Sequence, residues 1–219
     1  MKNILSQSEK DHLNQLVVKA EKHVDAQIVL AVVKRSDSYS EVPWKAFAIG
    51  TSVAGLLLFG LNAVIPSWYS PTRVHIALAA TLATGIFLAL LTVFIPLFAR
   101  LLLSSHQAET EVKQYAESIF ISHEVFATHK RNGVLLFVSL FERKVYILPD
   151  KGLCNMLGHD ETRKIIEPML DSLRHHKLRK AFEEGLNELT EILQNSKRQV
   201  PDDHGKNELP NEIIEEEGV

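Results

Sequence analysis

"RNGVLLFVSLFERKVYILPDKG", residues 131–152, decides the fold. It holds two apolar runs rich in β-branched residues, "VLLFVSL" and "KVYIL", with polar residues around Phe141 to Arg143 between them. That is the pattern of two strands joined by a tight turn. A third strand-like run, "AQIVLAVV" at 26–33, lies far upstream. Its nearly continuous apolar character is that of a central strand covered on both faces. A sheet containing all three must bridge everything that separates them.

What separates them is not soluble in character. No Asp, Glu, Lys or Arg occurs from Ala46 to Thr72 or from Val74 to Ala99, and Arg73 stands alone between the two runs. A helix needs about 20 mostly apolar residues to cross a hydrocarbon core of about 30 Å, and each run is long enough. The break, "PSWYSPTR", joins turn-forming prolines to Trp68 and Tyr69, rings suited to the headgroup level. A two-helix transmembrane hairpin is expected, with Pro96 kinking the end of the second span or marking its interface. Ala46, Gly50 and Ala54 recur every fourth residue, as do Thr81, Gly85 and Ala89. Small residues at that spacing let helix backbones approach closely. Lys34, Arg35, Lys45 and Arg100 flank the hairpin while its loop offers only Arg73, so positive charge places both termini in the cytoplasm, at the cell's inner membrane. The first 27 residues are polar, so no cleaved signal peptide is expected.

The 219 residues carry a formal net charge of -3 and one cysteine, Cys154. Without a basic patch the chain offers nucleic acid no footprint. A single cysteine forms no internal disulfide, and Cys154 is expected to be a small thiol at least half-buried. The other segments supply helices. "SQSEKDHLNQLVVKAEKHV" at 6–24 has a helical apolar stripe, and Ser6 with Glu9 forms a capping box. Val112, Ala116, Ile119 and Phe120 share one face after the hairpin. Two more helices are expected at about 160–173, broken or kinked by Pro168, and at about 178–193. His175 and His176 fall in the loop between them. The organisation expected is a first part at 1–43, the hairpin at 44–103, a second part at 104–195, and a disordered acidic tail at 196–219, of which "NELPNEII" is able to dock as a short extended segment. An even number of spans brings the chain back to the side it left, so the separated strands can share one sheet.

The combination of "AQIVLAVV", "NGVLLFVSLFERKVYILPDKGL" and "LRKAFEEGLNELTEIL" resembles the TPM domain, a module shared by plant thylakoid proteins and bacterial YgcG-like proteins. Its most specific part is Asn132-Gly133-Val134-Leu135-Leu136, then Glu142-Arg143-Lys144-Val145 and the Asp150-Lys151-Gly152 turn. The resemblance implies a mixed α/β fold, a TPM-like sandwich with a short central sheet, here interrupted by the hairpin. Members of the family are described as acid phosphatases or binders of a divalent cation such as Ca²⁺, and others act in assembly or repair of membrane complexes. This chain departs from the pattern where secreted members carry an acidic residue before Asn-Gly and a glycine-rich turn after the third strand. Arg131 and "PDKG" stand there instead.

A hard cation needs several oxygen ligands converging. The candidates are Glu142, Asp150 and Asp160, with Asp25 as a fourth. Two of them also have a simpler reading, Glu142 as a solvated charge at a strand turn and Asp160 as a helix N-cap. No phosphate-binding loop, nucleophile elbow or zinc spacing occurs, and no catalytic residue is assigned. Two functions follow. The first is a non-catalytic adaptor or assembly factor working on other membrane proteins from the bilayer. The alternative is a membrane-tethered, divalent-metal-dependent acid phosphatase.

Overall fold

β1 (Gln27–Val33) and β2 (Gly133–Ser139) lie side by side and parallel, with Ile28 opposite Val134 and Val32 opposite Val138. Parallel neighbours cannot be joined by a tight turn, so residues 34–132 form the crossover between them. β3 (Lys144–Pro149) returns antiparallel to β2 through the loop 140–143, where Arg143 adopts a left-handed φ of 52°. The computed structural model describes residues 4–64, 71–197, 208–210 and 212–218. It divides into two compact units, Met1–Asp37 with Glu109–Val219, and Ser38–Ala108.

In the first unit every residue of β1 and β2 is buried, because helices cover both faces of the sheet. Alternation sends Ile28, Leu30 and Val32 to one face. There they meet Leu13 and Val17 of α1 (Gln7–Glu21), Ile165 and Met169 of α6 (His159–Arg174), and Phe182 and Leu189 of α7 (Leu178–Lys197). Val29, Ala31 and Val33 face the other way, onto Val112, Ala116 and Ile119 of α5 (Ser105–Ser122). This is the α/β sandwich expected. The capping box also forms, with Ser6 and Glu9 each satisfying the other's backbone N–H. His175 and His176 lie in the connection between α6 and α7 as read from the sequence, His176 with a φ of 57°.

Three expectations are corrected. α6 runs without a break through Pro168. The carbonyl that proline leaves without its helical partner belongs to Lys164, an exposed residue. Cys154 is exposed rather than half-buried, its thiol 3.8 Å from the Pro149 carbonyl oxygen. The tail contributes structure as well: β4 (Ile214–Glu216) pairs parallel with β1 and makes the order β3-β2-β1-β4. Its carboxylates find donors on both faces. Glu215 accepts from the Leu5 N–H at 2.9 Å and pairs with Lys10 at 2.9 Å, while Glu216 accepts from the Tyr115 hydroxyl at 2.6 Å. Burial, and then the hydrogen bond to Glu216, raise the Tyr115 pKa above that of an ordinary phenol. Residues 198–207 lie outside the described residues.

The second unit is built on α2 (Glu41–Val64) and α3 (Pro71–Phe94), both long and apolar enough to cross a membrane. Their large side chains point outward, with Leu56 71 % and Phe59 74 % exposed, unlike the core helices of a soluble domain. The two helices touch where small residues meet. A Cβ built on Gly50 stands 3.1 Å from the Gly85 Cα, and one on Gly85 stands 2.5 Å from Thr51 Cγ2. Pro96 kinks neither helix; α3 ends at Phe94 and Pro96 opens a short α4 (Pro96–Leu102), a position where its missing N–H costs nothing.

Because Lys34 N–H donates to the Glu216 carbonyl at 3.3 Å, the tail strand guards that edge of β1. Deleting residues 208–219 is expected to accelerate amide exchange at Lys34 and to lower the melting temperature of the first unit. Glu215→Ala alone should cost about 1–2 kcal/mol, the scale of an abandoned charged hydrogen bond. Amide exchange followed by NMR on the full chain in detergent checks both.

Candidate functional site

The residues singled out by sequence gather mainly where β1 and β2 begin and β3 ends. Arg131 precedes β2 in a left-handed conformation, φ 53°, held by its own N–H donating to Thr128 O at 3.1 Å and by Gly152 N–H donating to its carbonyl at 2.7 Å. So anchored, its guanidinium grips Asp150 in a bidentate pair, Nε to Oδ2 at 2.6 Å and Nη2 to Oδ1 at 2.9 Å. The Lys151 N–H also donates to Asp150 Oδ1, at 2.8 Å. The Asp150 side chain is only 5 % exposed. Burial pushes its pKa up, but the hydrogen bonds from Arg131 and Lys151 and their charges outweigh that and hold it below the usual carboxylate value.

Asp25, just before β1, is taken in the same way. Its Oδ2 lies 3.0 Å from Lys130 Nζ, and its carbonyl accepts from Asn132 Nδ2 at 3.0 Å. Asn132 ties the segment down further, since its N–H donates to Thr128 Oγ1 at 3.0 Å and its carbonyl accepts from Gln27 N–H at 3.0 Å. The Asn132 Oδ1 is buried without a hydrogen-bond partner among the described residues. Gly133 is glycine for a steric reason: a Cβ there would stand 2.1 Å from the Val125 carbonyl oxygen. Gly152 is similar, with the Arg131 and Lys130 carbonyl oxygens at 2.6 and 2.7 Å. The Asn-Gly and Asp-Lys-Gly signatures thus each mark a close backbone approach, and the Asp150 N–H donating to the Gly133 carbonyl at 2.8 Å joins them.

Glu142 lies elsewhere. It sits in the loop between β2 and β3, where its Oε1 accepts from Ser36 N–H at 2.9 Å and its Oε2 accepts from the Ser139 hydroxyl. Ser36 Oγ donates to Ser139 Oγ at 3.0 Å, and the Arg35 guanidinium covers the Phe141 ring at 4.6 Å. Six residues of strand, roughly 20 Å, separate Glu142 from Asp150, far more than one ion can bridge at about 2.5 Å per ligand. Asp160 is in the first turn of α6, whose N-cap is Gly158, so the N-cap reading is corrected. The structure does not bring Glu142, Asp150 and Asp160 together. Among the described residues no three His, Cys, Asp or Glu side chains converge as a metal would require. The donor set does not fit a divalent cation, because Asp150 and Asp25 each already hold a cationic side chain.

Sequence reasoning missed the Arg131–Asp150 pair and the Ser36–Ser139–Glu142 network. The first had a signal, since Arg131 replaces an acidic residue of the resembled pattern, and a charge reversed at one position invites a carboxylate nearby. The second had none.

Residues 97–192 match the model of the TPM domain family. In three dimensions the chain is similar to the BA42 protein of the psychrophilic bacterium Bizionia argentinensis, known from an NMR structure, with a TM-score of 0.58 and 14% identity, over 99% of this chain and 98% of that one. At that identity the likeness shows the fold. No curated protein matches the chain.

Two outcomes test this geometry. A group whose pKa is depressed on folding contributes stability above its unfolded value and loses it as pH falls through the folded one. Wild-type melting temperature should therefore drop below about pH 4, and Asp150→Asn should melt lower at neutral pH with a shallower acid limb. Gly133→Ala, which drives a methyl into a backbone oxygen, should cost about 3 kcal/mol or more, while Gly60→Ala, with nothing within 4 Å, should be silent. Thermal melts of the purified chain across pH measure both.

Proposed function

We propose that this chain, which carries a TPM domain, is a membrane-held, non-catalytic adaptor or assembly and maintenance factor for other membrane proteins. α2 and α3 serve as its anchor in the bilayer. The basic residues flanking them, Lys34, Arg35, Lys45 and Arg100 against Arg73 alone at the start of α3, support a cytoplasmic placement of both termini at the inner membrane.

One observation carries the non-catalytic reading: both oxygens of Asp150 are committed to Arg131 and the Lys151 N–H. A carboxylate so held is a poor metal ligand and a poor general base, because either task requires it to surrender a charge-assisted bidentate pair. What remains is an α/β sandwich on a chain that also carries an apolar hairpin. Such a scaffold suits recognition by surface and edge rather than turnover in a cleft.

The experiment uses the full chain in detergent or vesicles. Hydrolysis of a generic phosphomonoester with Ca²⁺, Mg²⁺ or Mn²⁺ should not exceed that of Asp150→Asn, and calorimetry should show no saturable cation binding. Turnover in the wild type that Asp150→Asn abolishes would establish the tethered phosphatase in its place. Reporter fusions placed within residues 65–70 and after Val219 should report opposite sides of the membrane. The same side for both would overturn the anchor.

A further inference from the structure

β3 is an edge strand of the sheet, with β2 on one side and no strand on the other among the described residues. The Asp150 N–H donates to the Gly133 carbonyl, so in this antiparallel ladder residues 144, 146, 148 and 150 turn their backbone groups toward β2. Alternation then points the N–H and C=O of Val145 and Ile147 away from the sheet. Pro149, at the next outward position, has no N–H to leave unpaired. Lys144 and Pro149 bracket this window, two residues that commonly limit edge pairing to a short and defined register.

A groove of about 800 Å³ runs along that edge. Val145, Tyr146, Ile147 and Leu148 line it from β3, Glu109 and Val112 from α5, and Ile166 and Leu170 from α6. Its rim is basic, with Arg143, Lys144, Arg163 and Arg174 against the single carboxylate of Glu109. Lys144 lies 3.6 Å from Glu109 and Arg163 is paired to Glu167, while Arg174 is exposed. This local excess of positive charge stands on a chain whose formal net charge is -3.

The geometry points to β3 as the docking strand for an extended, acidic segment of a partner protein, added to the sheet edge through Val145 and Ile147. The inference deepens the adaptor reading and rests on it. Backbone bonds supply two donors and two acceptors, the apolar floor takes alternate side chains, and the rim takes carboxylates on the remaining ones. A basic partner is disfavoured by this rim, where Arg143 and Arg174 add to the paired Lys144 and Arg163. A helical one leaves the outward amides of Val145 and Ile147 unpaired.

The test uses the full chain in detergent micelles with a fluorescein-labelled peptide of alternating glutamate and valine, and an alternating lysine and valine peptide as control. Anisotropy at low salt should show the acidic peptide alone binding, and NMR should show slowed amide exchange at Val145 and Ile147 on its addition. Arg163→Glu with Arg174→Glu, both exposed, should weaken binding about tenfold with near-UV circular dichroism unchanged. Absence of binding, equal binding of the lysine peptide, or binding without protection at those two amides overturns the inference. Protection that grows as the chain alone is concentrated also overturns it, making a second copy the occupant. Failure here with phosphomonoester turnover still absent leaves the adaptor reading in place, whereas turnover removes that reading itself.

Discussion

The parallel pairing of β1 with β2 is the constraint on which the rest of the structure depends. Parallel strands need a crossover long enough to lift the chain off the sheet and set it down again. The stretch between Val33 and Gly133 provides it, and contains both the apolar hairpin and α5. The hairpin costs the fold little because its helices lie antiparallel, with Gly50 against Gly85, so the chain re-enters near where it left. The added loop length carries only a slowly growing entropic cost.

Once β1 is central, the remaining positions are fixed by the need to cover both faces of a strand with no polar side. α1, α6 and α7 close one face and α5 the other. The sheet ends then hold the charged residues, and here the electrostatics are local. Asp25 meets Lys130, Asp150 meets Arg131, and Glu215 meets Lys10, while Glu216 and Glu142 are held by hydroxyl donors. Ion pairs of this kind add modest stability where exposed, but Asp150 is buried, and there the loss of Arg131 would leave an uncompensated charge.

Much of this was legible in the sequence because it rests on periodicity. The strands at 26–33 and 134–148, the apolar spans and the capping box of Ser6 and Glu9 are short-range patterns, and Gly50 with Gly85 needed only a spacing rule. β4 was illegible for the opposite reason. "IEE" has no strand signature, and it pairs with β1 because Leu5, Lys10 and Tyr115, all remote in sequence, supply donors for its glutamates, with Lys34 holding Glu217 just beyond. The candidate site failed in the same way. Glu142, Asp150 and Asp160 looked like ligands while they were letters in a row, yet a strand lies between the first two, and which cation Asp150 would meet depended on a left-handed residue 19 positions earlier.

Neutralised carboxylates at one end of the sheet and a basic groove along its β3 edge belong to a single economy of charge. Had the acidic side chains at the sheet ends been left unpaired, their field would extend about 10 Å at moderate salt and weaken the attraction of Arg143, Arg163 and Arg174 for an anionic partner. With Asp150 and Asp25 answered locally, the rim cations keep their own field, and a chain that is acidic as a whole still presents a positive edge. An enzyme that needed Asp150 as a ligand or base would require the reverse arrangement, with Arg131 withdrawn and the carboxylate open. As observed, both Asp150 oxygens stay committed at one end of β3, while the basic groove runs along its outer edge.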